Sequence, residues 1–267
     1  MSQEPIIHPT AIVGGDARLA AGVRVGPYAI IEDEVEIGEN TQIGPHAVVR
    51  RHTTIGKGCR IFQFASVGEI PQDLKFAGET SYLTVGDNNT IREFASLHRG
   101  TAGGGGLTSL GSGNLLMAYT HVAHDCRIGN GVIMSNAASL AGHVVVEDRA
   151  IIGGLVGIHQ FVRVGTHAFV GGNSAVSKDV PPYTLCAGNP QKLHGLNLVG
   201  LKRAGFGAET LRALKEAYQI VVRGPLLLGE ALIRVEADVA PLPEVRRFVD
   251  FIRASMRGIP RHRHEEA

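Results

Sequence analysis

Near the middle of the chain His124 and Asp125 stand side by side, in the run His121-Val122-Ala123-His124-Asp125. A carboxylate beside an imidazole fixes its tautomer and stabilises the imidazolium formed when the ring takes a proton. Eighteen residues beyond His124 is Gly142, and eighteen beyond that is Gln160; the same step carries Asp125 to His143 and Ala123 to Ala141 and then His159. If eighteen residues make one turn of a stacked coil, then His124, Asp125, Gly142, His143, His159 and Gln160 meet on one corner. Three coils at about 4.8 Å each place them within about 10 Å of one another. A glycine there lets its backbone N–H approach a developing oxyanion. The group holds no serine or cysteine suited to be a nucleophile, so the chemistry indicated is direct, base-assisted acyl transfer to a hydroxyl or an amine. His8, His46, His52 and His167 lack comparable partners along their own corners.

The step of eighteen comes from a six-residue repeat. Counting by six from Ile7 lands on Val13, Leu19, Val25, Ile31, Ile37, Ile43, Val49, Ile55, Ile61 and Val67, then on Val85, Ile91 and Leu97. After a slip of one residue it resumes at Leu110 and runs through Val122, Ile128, Leu140, Ile158 and Val170 to Val176. Two residues before each aliphatic sits a small or β-branched one, such as Ala11, Val23, Ala29, Thr41 or Ala65. Side chains alternate across a strand, so both positions point inward and each hexad is one short strand. Three hexads close a triangle, which predicts a parallel β-helix. Cys59 and Cys126 fall in the small inward register and read as core.

Two segments leave the pattern and should loop out of the prism: 68–84, with Asp73 and Glu79 where aliphatics belong, and 98–109, with four consecutive glycines. Long excursions from a rigid scaffold are where function gathers. The first, carrying Gln72, Asp73 and Lys75, is the better functional candidate; the glycine tract reads as flexible. After Val180-Pro181-Pro182 the period changes to that of helices, with Leu211, Leu214, Ala217, Tyr218 and Val221 on one face and Val245, Phe248, Val249 and Ile252 on another. We therefore divide the chain into a β-helix over 1–189 and a small helical domain over 190–267. The latter holds 13 Lys+Arg against 9 Asp+Glu and is the basic end of the molecule.

Over the full 267 residues, 26 Lys+Arg balance 25 Asp+Glu, which argues against nucleic acid as a partner. The N-terminus has no signal-peptide pattern, no window approaches the ~18 apolar residues of a membrane span, and three cysteines form no framework. A cytoplasmic protein without integral membrane association is expected.

The segments QFASVGEIPQDLKFAGE, IREFASLHRGT, HVAHDCRIGN, LAGHV, IIGGLVGIHQFVRVG, DVPPY and GLNLVGLKRAGF, with HPTAIV at the start, closely resemble the acyl-[acyl-carrier-protein]–UDP-N-acetylglucosamine O-acyltransferases. That resemblance runs through both excursions and the tail. It implies the left hand of the β-helix, which spacing alone does not fix. It also implies transfer of a (3R)-3-hydroxyacyl chain to the 3-hydroxyl of UDP-N-acetylglucosamine, the first step of lipid A biosynthesis. The donor is acyl carrier protein, its phosphopantetheine carrying the acyl group, so no further cofactor is implied. His124 would be the base, Asp125 its orienting partner and Gly142 N–H the oxyanion donor. Gln72, Asp73, Lys75, His121, His143, His159 and Gln160 would line the sugar and pantetheine positions. Asn197 and Arg203 would reach the nucleotide, and the active assembly would be a homotrimer with sites between prisms. Gly172 matches the position that limits acyl length, and a glycine there favours about fourteen carbons. Val199 and Ala204 depart from the family, standing where an acidic residue and a second arginine are common.

Two alternatives stay open. The related lipid A pathway N-acyltransferase acts on an amine and has an added N-terminal domain, whereas the hexads here begin at Ile7. A trimeric hexapeptide-repeat protein of carbonic anhydrase type would hold zinc with histidines. Asp125 is better placed to orient His124 than to ligate beside it, so no metal is expected.

Overall fold

A computed structural model describes residues 4–261. Most hexads contribute a two-residue strand whose outward residue lies between two buried ones: Val23 and Val25 are buried around exposed Arg24, and Ala29 and Ile31 around Ile30. Consecutive coils pair in parallel at a step of eighteen, as in Arg24 with Gln42 and Val25 with Ile43. The strands form sheets of eleven, nine and eight members, which are the three faces of the expected left-handed parallel β-helix. The first face runs from Ile6–Ile7 to Lys192–Leu196, the second from Ile12–Val13 to Ala175–Val176, and the third from Arg18–Leu19 to Arg163–Val164.

Cys59, Cys126 and Cys186 are free and buried in the core. Burial pushes the Cys126 thiol up to about 12 and that of Cys186 up to about 11, which leaves neither as a thiolate nucleophile. At the corners the chain turns through left-handed backbone. Tyr28, His46, Phe64, Phe94 and Tyr119 all have φ between 56° and 62°, unusual for bulky residues. Their rings stack in one column along the corner between the first and second faces, with centroids 4.9 to 5.2 Å apart. His46 thus does have partners on its corner, as do His52 (Nδ1 2.8 Å from a Glu34 carboxylate oxygen) and His167 (stacked on Tyr183). These contacts are structural ones.

The two excursions show in the pairing. Thr53 pairs with Leu83, thirty residues on, so the first adds twelve, two whole hexads, and keeps phase. Thr90 pairs with Leu115, twenty-five on, so the second adds seven and produces the one-residue slip. Both are narrower than the 68–84 and 98–109 read from sequence. Strands Ser66–Glu69 and Tyr82–Val85 hold the ends of the first, and Ser96–His98 and Leu107–Leu110 hold those of the second.

At the far end Thr184–Ala187 pairs with antiparallel Lys192–Leu196, so the part expected to be helical from 190 opens with a strand. Helices α1 (Leu198–Arg203), α2 (Ala208–Tyr218), α3 (Leu228–Asp238) and α4 (Pro243–Arg253) follow. The expected apolar faces are the buried ones: Leu214, Ala217 and Tyr218 on α2, and Val245, Phe248, Val249 and Ile252 on α4. The helices dock on the prism through Phe251 under the Arg163 guanidinium at 4.3 Å and Ser255 Oγ donating to Asp179 at 2.7 Å. Residues 1–3 and 262–267 of the two expected domains lie outside the described residues.

Candidate active site

The strand His121–Val122 belongs to the second face and Arg127–Ile128 to the third, so His124 and Asp125 form the corner between them. Val122 and Cys126 anchor that corner in the core. His124 Nδ1 meets Asp125 Oδ2 at 2.7 Å. With the Nδ1 proton donated to the carboxylate, Nε2 is left as the basic nitrogen, beside Gly142. The His124 side chain is 15% exposed and that of Asp125 only 2%. The repeat places Asp125 at a corner, outside the inward register, yet its side chain is buried because the second excursion covers it. Thr101 N–H donates to Asp125 Oδ1 at 2.9 Å, and Thr101 Oγ1 donates to Oδ2 at 2.7 Å. Thr108 Oγ1 accepts from the Asp125 backbone N–H at 2.7 Å. The glycine tract is therefore a fitted cover rather than a flexible link.

One coil along, Gly142 is buried against the imidazole: a β-carbon there would stand 2.5 Å from His124 Cε1. Its neighbours Ala141 and His143 donate to Ile158 and His124 in the coil ladder, while the Gly142 N–H takes no partner among the described residues. At equivalent positions the N–H of Lys57 and of Asn130 is capped by Asp87 and Asp148. The open donor beside His124 suits an oxyanion. His143 packs edge-on to His124 and stacks on Phe161 at 4.5 Å, with Nε2 3.7 Å from Asp125 Oδ2. His159 and Gln160, one coil further, are exposed.

His121 shares a hydrogen bond of 2.8 Å with Ser96 Oγ and meets the ring of His98 edge-on at 4.9 Å. Burial first, then the charge of His124, pushes His121 down. Burial and the neighbouring histidines push His98 to about 4. Both are thereby poorer proton acceptors than free imidazoles. From His121 and His159 a shallow groove of about 480 Å³ runs over the second face, past the small outward residues Ser139, Gly157 and Ala175. Gly172 lies at the other edge of that face, its would-be β-carbon 3.2 Å from Gly154 O. A larger cavity of about 650 Å³ opens at the first coils, but Arg18 and Glu36 there are paired at 3.1 Å and His52 is held by Glu34.

Not every candidate converges. Gln72, Asp73 and Lys75 sit in the first excursion, where Asp73 Oδ1 accepts from Lys75 N–H at 3.0 Å in a local turn. Asn197 caps α1 and donates to His167 O at 3.1 Å, which puts it at the corner between the third and first faces. Exposed Arg203 lines the same 400 Å³ pocket as Asn197 and Val199. A single prism keeps that pair away from His124. Sequence reasoning gave no role to Thr101, Thr108 or Glu79, which lie in or at the end of the aperiodic excursions; the one signal was an acid at 79 where the hexad calls for an aliphatic.

Ligand atoms of His124, Asp125 and His143 lie within 4.8 Å of one another, the one such group among the described residues. The 2.7 Å between His124 Nδ1 and Asp125 Oδ2 is that of a direct hydrogen bond. Two ligands of one tetrahedral zinc, each ~2 Å from it, stand about 3.3 Å apart. The donor set favours the proton over the metal.

Prism and corner together define the class, a hexapeptide-repeat transferase. A family model for bacterial transferase hexapeptides (six repeats) matches residues 34–62, and one for UDP-N-acetylglucosamine O-acyltransferase, domain 2, matches 179–260. The acyl-[acyl-carrier-protein]–UDP-N-acetylglucosamine O-acyltransferase of Myxococcus xanthus is 53% identical over 255 residues, 96% of this chain and 99% of the relative. That of Thiobacillus denitrificans is 54% identical with the same coverage. The solved structure of LpxA from Acinetobacter baumannii superposes with a TM-score of 0.94 at 44% identity, covering 96% of this chain and all of that one. The chain belongs to the acyl-[acyl-carrier-protein]–UDP-N-acetylglucosamine O-acyltransferase family. No helix among the described residues is long and apolar enough to cross a membrane.

Proposed function

We propose that the protein transfers a (3R)-3-hydroxyacyl chain from acyl carrier protein to the 3-hydroxyl of UDP-N-acetylglucosamine, opening lipid A biosynthesis in the cytoplasm. The observation that carries the mechanism is the 2.7 Å His124–Asp125 pair beside the open Gly142 N–H. His124 Nε2 takes the proton of the sugar 3-hydroxyl as its oxygen attacks the thioester carbonyl. The tetrahedral oxyanion forms against the Gly142 N–H, and its collapse breaks the C–S bond. The imidazolium returns its proton to the departing pantetheine sulfur, leaving the ester and the free thiol of the carrier. The chain supplies no covalent nucleophile and needs no cofactor of its own.

The groove over the second face would hold the acyl chain, its end toward Gly172, consistent with about fourteen carbons. The separation of Asn197 and Arg203 from His124 supports a homotrimer, in which a second prism brings its nucleotide-contacting corner to the first prism's base. Exposed Lys202, Arg212, Lys215 and Arg246 are among the cations of the helical end with no ion pair among the described residues and are available to an acidic carrier; Arg234, Arg247 and Arg253 are already paired with acids of this chain. Mass spectrometry of the product from UDP-N-acetylglucosamine and mixed hydroxyacyl carrier proteins tests the reading. A 3-O-(3-hydroxyacyl) product that vanishes in His124→Ala supports it, and undiminished turnover in that variant overturns it.

A further inference from the structure

We propose that Thr101 and Glu79 are positioning residues that tie the first excursion to the catalytic pair, so that the two excursions act as one body on Asp125. This rests on the reading of the corner as an acyl-transfer site.

Thr101 supplies two of the three hydrogen bonds that the Asp125 carboxylate accepts, the third being that of His124. With Oδ1 and Oδ2 both held, the carboxylate has one orientation, and it aims His124. The turn behind Thr101 is closed on it, since Gly104 N–H and Gly106 N–H both donate to Thr101 O, at 3.0 and 2.8 Å. Gly104 lies directly against the acid: a β-carbon there would stand 2.0 Å from Asp125 Cγ. Only a glycine fits, so the tract reaches the carboxylate by having no side chain at that point.

The first excursion grips this turn. Glu79 accepts from Ala102 N–H at 3.1 Å with one oxygen and from Ala77 N–H at 2.8 Å with the other. Those N–H groups, with that of Ala102 the largest influence, hold the Glu79 carboxyl below its ordinary value, so it is an anion at neutral pH. Tyr82 N–H donates to Gly106 O at 2.8 Å, and Gly100 N–H to Tyr82 O at 3.2 Å, so the bases of the excursions are joined too. A shift of the segment bearing Gln72, Asp73 and Lys75 therefore passes through Glu79 to Ala102, then to Thr101 and the dyad. Glu79 and Thr101 touch no reacting atom in this scheme; they act through Asp125.

The test is steady-state kinetics of the full-length protein with UDP-N-acetylglucosamine and a 3-hydroxyacyl carrier protein, alongside thermal melting. Thr101→Val should lower kcat about 10²-fold with little change in either KM, the usual cost of misplacing a catalytic group. Thr101→Ser, which restores the hydroxyl, should return kcat to within a few-fold of the parent. Glu79→Gln should lower kcat about tenfold, and the Thr101→Val, Glu79→Gln pair should be no worse than Thr101→Val alone, because both changes act through one carboxylate. A valine variant with parental kcat, or a serine variant as poor as the valine, overturns the proposal while inactive His124→Ala leaves the acyl-transfer reading standing. Full activity in His124→Ala removes both. If Thr101→Val does not fold, Glu79→Gln decides alone: parental kcat overturns the coupling, and a fall in kcat at unchanged KM and melting temperature supports it.

Discussion

The imidazole of His124 lies against the backbone of Gly142 so closely that a β-carbon on Gly142 would stand 2.5 Å from Cε1 and 2.7 Å from Nε2. Real β-carbons do not come that near, so Gly142→Ala must push the ring off the corner. We expect kcat to fall about 10²-fold or more while the prism still melts cooperatively. Initial rates and a calorimetric scan of the variant check this. An alanine variant with parental kcat would show that the ring has room to spare.

Asp125→Asn keeps the shape but changes the role of one arm. Thr101 N–H approaches one carboxylate oxygen and Thr101 Oγ1 and His124 Nδ1 the other, so the amide nitrogen either faces the Thr101 N–H or makes His124 Nδ1 an acceptor. The first orientation leaves a group unsatisfied and costs ~1–3 kcal/mol of stability. The second loses control of the tautomer and lowers kcat roughly 10³–10⁴-fold. Urea unfolding and turnover, measured on one preparation, separate the two effects.

His98 provides a pH dependence of stability. Burial, with the charges of His121 and His124, lowers it from 6.5 to about 4, against a smaller opposing pull from Glu69. Between those values the unfolded chain binds a proton that the folded one does not, so its contribution is intact above pH 6.5 and is lost as pH falls toward 4. The side chain is buried, at 4% exposure, and the loss amounts to about 3 kcal/mol at most. Urea unfolding at several values across that window should show a shallower slope for His98→Gln than for the parent. Identical slopes would mean that His98 titrates normally.

A longer side chain at 172 should shorten the acyl chain accepted. The would-be β-carbon meets Gly154 O at 3.2 Å, a contact that a small backbone adjustment relieves, so Gly172→Met should fold. Transfer of a fourteen-carbon chain relative to a ten-carbon one should fall roughly tenfold or more, the cost of forcing extra methylenes into a filled groove. Product mass spectrometry from a mixed donor pool reads the ratio directly. An unchanged ratio would place the end of the acyl site elsewhere.

Chelation should leave turnover untouched. His124 Nδ1 and Asp125 Oδ2 are at hydrogen-bond distance from each other, which spends both atoms on the proton. Elemental analysis of the purified protein should therefore find less than one zinc per chain. Stoichiometric zinc with loss of activity on its removal would restore the metal reading.

Much of this molecule was open to reading from the order of its residues. The aliphatic step of six fixes which side chains enter the core, because a strand alternates and a coil of three strands repeats every eighteen residues. That ruler places His124 on Gly142 and Asp125 on His143, and both pairs are in contact. It also put Cys59 and Cys126 in the core.

What the ruler could not reach lies in the two excursions, which have no period. Whether the four glycines hang free or close over an acid depends on backbone N–H groups, which every residue but proline carries and no sequence marks. Tertiary structure alone turned Asp125 inward under Thr101, set Gly104 against its carboxylate and brought Glu79 to Ala102. It also fixed Asn197 and Arg203, expected to reach the nucleotide, at a different corner from His124, because the eighteen-residue step that unites one corner carries no information about the next.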